Sequence, residues 1–124
     1  MGLLDGLLGH GSDVTPADVM AEVGDMLVEG EPVHLAFRVV RDLMVFTDRR
    51  MILVDKQGLT GRKVEYLSVP YRAITMFSIE NAGSFDLDSE LKVWVSGQPQ
   101  PIGRTLKRGA DIRGIQRAIA SSLR

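Results

Sequence analysis

A chain of 124 residues has the length of one ordinary domain and too little material for two independent cores. With 44% hydrophobic and 25% charged residues its composition is globular and far from that of a disordered chain. A formal net charge of -1 excludes a general attraction to nucleic acid or acidic lipid, and the lack of cysteine excludes disulfides, thiolate metal sites and a cysteine nucleophile, which fits a reducing compartment.

The opening from Met1 to His10 lacks the basic flank and sustained apolar run of a secretory leader, and Gly6 stands where a myristoylation signal requires Ser or Thr. No later run reaches the roughly 18 apolar residues of a membrane span, so the expected location is cytoplasmic. Leu3, Leu4, Leu7 and Leu8 recur at helical spacing, but Gly2, Gly6, Gly9 and Gly11 each weaken a helix by roughly 1 kcal/mol relative to alanine. That segment needs a surface to pack on. Thr15 followed by Pro16 reads as a helix start, and Val19, Met20, Val23, Met26 and Leu27 give one apolar face to a helix expected from Pro16 to Val28. Glu29-Gly30-Glu31-Pro32 stops it.

From Val33 the period changes to 2 and β-branched residues become frequent, the pattern of an antiparallel sheet. Strands are expected near Val33 to Arg41, Leu43 to Thr47, Arg50 to Lys56, Lys63 to Val69, Ile74 to Asn81, Phe85 to Val95 and Pro101 to Lys107, separated by turn chemistry such as Asp48-Arg49, Gln57-Gly58 and Gly97-Gln98-Pro99. In Phe85 to Val95 odd positions are nearly all apolar and even positions nearly all polar, so one face is core and the other wet. Trp94 falls on the polar side and is expected to cover a neighbouring segment or enter an interface. Ile112, Ile115, Ile119 and Leu123 then form one stripe of a closing helix. The expected fold is mainly β: a seven-stranded antiparallel sandwich or partly open barrel over 33–107, capped by a C-terminal helix over 110–123, with a helical N-terminal extension over 1–31.

Charge is uneven. Asp5, Asp13, Asp18, Glu22, Asp25, Glu29 and Glu31 precede any Lys or Arg, whereas Arg104, Lys107, Arg108, Arg113, Arg117 and Arg124 close the chain against Asp111 alone. Head and tail could pair within a subunit, pair between subunits, or remain two solvated surfaces.

Specific residues add to the pattern. Asp42-Leu43-Met44-Val45-Phe46-Thr47-Asp48-Arg49-Arg50-Met51-Ile52-Leu53-Val54-Asp55 resembles the second strand, turn and third strand of bacterial pleckstrin-homology domains. Thr60-Gly61-Arg62-Lys63, Val69-Pro70-Tyr71-Arg72-Ala73-Ile74 and the stretch from Ile79 to Leu91 follow in the same order. The resemblance is to small stand-alone pleckstrin-homology-like proteins and implies that fold and self-association, with a ring as the expected assembly. The phosphoinositide-binding branch of the superfamily reads its headgroup with basic residues in a long first loop. Here that connection is about Arg41-Asp42, so headgroup reading at that place is not carried over.

Asp86, Asp88 and Glu90 alternate along one strand about 7 Å apart, a spacing at which carboxylates serve acid-base chemistry or hold a hard cation. Both jobs need groups converging from several elements, so a solvated face or a subunit interface, with Trp94, is the expected use of this row. His10 and His34 have no acidic partner at ligand spacing, Gly58 to Lys63 precedes a strand where a phosphate loop precedes a helix, and no Gly-x-Ser-x-Gly occurs. Arg49 and Arg50 at one turn and Arg62 and Lys63 at another would form an anion or lipid-headgroup patch if the hairpins converge. Aromatics do not interleave with these bases, so nucleic acid is not an expected partner. The sequence points to a non-enzymatic binding or scaffold domain without cofactor, whose partner is a second copy of itself or another protein. The alternative is a peripheral membrane module anchored by Leu3, Leu4, Leu7 and Leu8.

Overall fold

The computed structural model describes residues 14–39, 42–60, 62–81, 83, 88–107 and 111–123. Helix α1 (Pro16–Val23) starts where its capping chemistry places it. Thr15 Oγ1 accepts the Asp18 N–H at 3.1 Å, Asp18 Oδ2 accepts the Thr15 N–H at 3.1 Å, and Pro16 occupies the first turn, where a missing N–H costs nothing. The helix is shorter than expected: a 3-10 turn covers Gly24–Met26 and Leu27 is extended. The Met26 carbonyl accepts from Arg50 Nη2 at 2.9 Å and the Val28 N–H donates to Glu31 Oε1 at 3.0 Å. Partners outside the helix thus take the groups that further turns would use.

Strands β1 (Val33–Val39), β2 (Asp42–Thr47), β3 (Arg50–Gln57) and β4 (Lys63–Pro70) form one antiparallel sheet in that order. Strands β5 (Ile74–Glu80), β6 (Ser89–Val95) and β7 (Ile102–Leu106) form the second. All seven expected strands are present. Asp88 precedes β6 instead of lying in it, while Phe85, Asp86 and Leu87, Val40 and Arg41, and the leucines of residues 3–8 fall outside the described residues.

Register assigns the faces, because directly opposed residues point the same way. The pairs Leu35↔Phe46, Phe37↔Met44, Met44↔Leu53, Phe46↔Met51 and Met51↔Val69 place the large side chains on the inner face of the first sheet. Phe37 and Phe46 stack there with centroids 6.2 Å apart. The pairs Ala36↔Val45, Val45↔Ile52 and Leu43↔Val54 lie on the opposite face, and all five residues are buried as well. Helix α1 covers that face. Glu22 accepts from Tyr66 Oη at 3.0 Å and meets Lys56 Nζ at 2.9 Å, Asp18 lies 3.8 Å from Arg38, and Val19 and Val23 are fully buried.

Three acids of the head, Asp18, Glu22 and Glu31, pair with Arg38, Lys56 and Arg50 of the first sheet. The second sheet turns Phe77, Ile79, Leu91, Val93 and Ile102 inward. Helix α2 (Ile112–Ser122), capped where Asp111 Oδ1 accepts the Gly114 N–H at 3.0 Å, packs against β1, β2 and β5 and buries Ile115 and Ile119.

Candidate functional site

The Thr47-Asp48-Arg49-Arg50 stretch bonds both of its arginines within the fold. Thr47 is buried in the turn between β2 and β3, where its Oγ1 accepts N–H bonds from Arg49 and Arg50 and donates to Glu31 Oε2 at 2.8 Å. Arg50 grips Glu31 through Nε at 2.7 Å and Nη2 at 2.9 Å, and also donates to Ser68 Oγ and the Met26 carbonyl. The Tyr71 hydroxyl donates to the Thr47 carbonyl, and its ring stacks on Phe46 at 6.3 Å. Burial pushes the Tyr71 phenol up, and the carboxylates of Asp48 and Glu31 add to that. Burial also opposes the charged form of Glu31, but hydrogen bonds from Arg50, the Val28 N–H and Thr47, with the guanidinium charge, outweigh it and hold the carboxyl at about 2. Arg49 chelates Asp48 at 2.8 and 3.2 Å and reaches the Gly30 carbonyl at 3.1 Å.

The anion patch expected from Arg49, Arg50, Arg62 and Lys63 is therefore not assembled. Arg50 stands opposite Pro70 and Gln57 opposite Lys63, so the two basic pairs sit at opposite ends of β3, about 23 Å apart at about 3.3 Å per residue. Arg62 and Lys63 are exposed beside the β3–β4 hairpin tip, where Leu59 is fully exposed. Among the described residues, no group of three or more His, Asp or Glu is placed to hold a metal ion.

The expected interface residues fare differently. Asp86 lies outside the described residues, and Asp88 is exposed ahead of β6. Glu90 and Trp94 share the outer face of β6, opposite Glu80 and Met76 of β5. No helix covers this face among the described residues, in contrast with the outer face of the first sheet. Met76 is 55% exposed beside the half-buried Trp94. Gly103 of β7 makes room for Glu90, since a Cβ there would lie 2.9 Å from Glu90 Oε2. Both β4 and β5 are edge strands, each hydrogen-bonded to one neighbour. A cleft of about 380 Å³ opens between the sheets near these edges; Leu67, Val69, Ala73, Val95 and Ile102 form its apolar walls, and its polar lining residues are Ser68, Gln98 and Gln100. Periodicity found Trp94 in the sequence but not Met76, because cross-strand register is not written in either strand alone.

A four-stranded and a three-stranded antiparallel sheet closed by a C-terminal helix define a pleckstrin-homology-like fold. The family follows from comparison: the model of the bacterial PH domain family matches residues 2–123, and the chain belongs to that family. It is 52% identical over 122 residues to the uncharacterised protein YjqA of Bacillus subtilis, covering 98% of each chain. Among solved structures, a pleckstrin homology domain from Shewanella amazonensis is 50% identical, with a TM-score of 0.80 and 99% of both chains covered. A protein with a pleckstrin-homology domain from Shewanella loihica is also 50% identical, with a TM-score of 0.77 over 91% of this chain and 97% of that one.

Proposed function

We propose that this protein is a non-enzymatic binding domain that assembles with copies of itself. The observation that carries this reading is the outer face of the second sheet, which no described helix covers and where Met76 of the edge strand β5 and Trp94 of β6 lie side by side. An unpaired, largely uncharged edge is a standing template for another chain, and aromatic and methionine side chains are enriched at the centres of interfaces. Glu80 and Glu90 add two carboxylates to the same face and suit a basic surface on the next copy. Contact between two unlike patches closes into a ring when its rotation permits. Light scattering coupled to size exclusion is expected to give a discrete multiple of 13.6 kDa for the native chain, and Trp94→Glu is expected to shift the mass to one copy. A native chain that already elutes as one copy at all concentrations overturns the reading.

A second reading rests on Leu59. A fully exposed leucine at a hairpin tip, flanked by Arg62 and Lys63, fits the surface of an anionic bilayer. Burying the leucine contributes about 2 kcal/mol and each basic residue about 1 kcal/mol, so one copy binds only at the millimolar level and a multimer binds through avidity. Co-sedimentation with phosphatidylserine vesicles that disappears in Leu59→Asp supports it, and no co-sedimentation of the native multimer removes it.

A further inference from the structure

Once the acids of the N-terminal segment are matched to the first sheet, helix α2 keeps basic side chains that no described carboxylate neutralises. Arg113 is exposed, without an acidic partner among the described residues, and Arg117 follows one turn later. Like charges four residues apart on a helix disfavour each other. Beside Arg113 is a pocket of about 240 Å³ between the end of β5 and the start of α2, lined by Ile79, Asn81, Ile112, Arg113 and Gln116. Ile79 and Ile112 are the apolar part of the lining, and the rest offers hydrogen-bonding groups.

The orientation of one of those groups is fixed. Asn81 Oδ1 accepts the Gly83 N–H at 2.6 Å, which leaves the amide nitrogen of Asn81 with its two hydrogens to give. Arg113 contributes a guanidinium that can only donate, and Gln116, three residues on, contributes a second side-chain amide on the same side of the helix. The carboxylates nearest in sequence are not in the lining: Asp111 caps the helix by accepting from the Gly114 N–H, and Glu80 stands on the outer face of β5 opposite Glu90. Donors therefore reach the pocket from two elements, with no acid among the described lining residues.

We propose that this pocket is a binding site for a phosphoryl group. A tetrahedral oxyanion offers oxygens in several directions and suits donors arriving from both a strand end and a helix flank, while the guanidinium supplies the charge-assisted bond. The site is independent of the outer sheet face and does not depend on self-assembly.

The same chemistry is carried by a free phosphorylated small molecule and by a phosphomonoester lipid headgroup. The test is an NMR titration of the full chain with sodium phosphate against sodium chloride at matched ionic strength, following the side-chain amides of Asn81 and Gln116. Saturable shifts at a roughly millimolar midpoint are expected with phosphate and not with chloride. Arg113→Gln, an exposed change that leaves the packed face of α2 intact, is expected to weaken binding at least about tenfold. Shifts that do not saturate, that chloride reproduces, or that persist unchanged in Arg113→Gln overturn the proposal. Phosphatidic acid vesicles then separate the sources: co-sedimentation lost in Arg113→Gln assigns the headgroup, and phosphate binding without vesicle binding assigns a free phosphorylated molecule.

Discussion

Glu31→Gln is expected to cost about 3 kcal/mol of stability, seen as a lower urea midpoint at an unchanged slope. The carboxylate is fully buried, whereas Arg50 keeps about a fifth of its side chain in water, so the loss lies at the lower end of the range for breaking a buried pair. One carboxylate oxygen accepts from Thr47 Oγ1 and Arg50 Nε and the other from the Val28 N–H and Arg50 Nη2, so the NH2 of a glutamine must face donors at one of these positions, and Arg50 is left without its counter-charge. Glu31 also sets an acid limit on the fold. Its carboxyl is held at about 2 against an ordinary value of 4.5, so the unfolded chain takes up this proton first as pH falls. The stabilisation is complete above pH 4.5 and drains away between 4.5 and about 2. Urea midpoints taken across that window should fall steeply for the native chain and much less for Glu31→Gln. Parallel curves for the two proteins would show that other carboxylates carry the acid sensitivity.

The signature residues that mark the family in the sequence turn out to touch one another. Thr47 and Arg50 meet Glu31, and Tyr71 closes over Thr47 and Phe46. The resemblance between distant fragments therefore reports a structural junction, in which Arg49 binds Asp48 and Arg50 binds Glu31. Glu31 itself was not legible: nothing in the sequence separates it from Glu29, and its partner lies nineteen residues away. The strand count, the Thr15 cap and the closing helix were legible because each rests on spacing within one segment. The continuous apolar runs Leu43-Met44-Val45-Phe46 and Met51-Ile52-Leu53-Val54 carried a further signal, since strands buried on both faces lose their alternation. Together with the apolar side of the acidic helix, they specify a sheet with a cover, whereas the charge pattern alone left pairing with the tail, pairing between subunits and two solvated surfaces equally open.

That cover makes the other large effect. Val23→Asp is expected to cost about 3 kcal/mol or more, because Val23 is fully buried at the end of α1 within the apolar core and a carboxylate there would lose its water. An eight-residue helix has little stability of its own, so α1 persists through its packing on the sheet and through the Glu22 and Asp18 contacts. Once it lifts, Leu43, Val45, Ile52 and Val54 face water as one contiguous apolar surface in the centre of the first sheet. Hydrogen exchange should then show lost protection in α1 while the amides of β5 to β7 remain protected, and a hydrophobic dye should bind the variant and not the native chain. Uniform loss of protection through both sheets would instead mean that α1 unfolds only with the whole domain, making the helix an integral layer of the core.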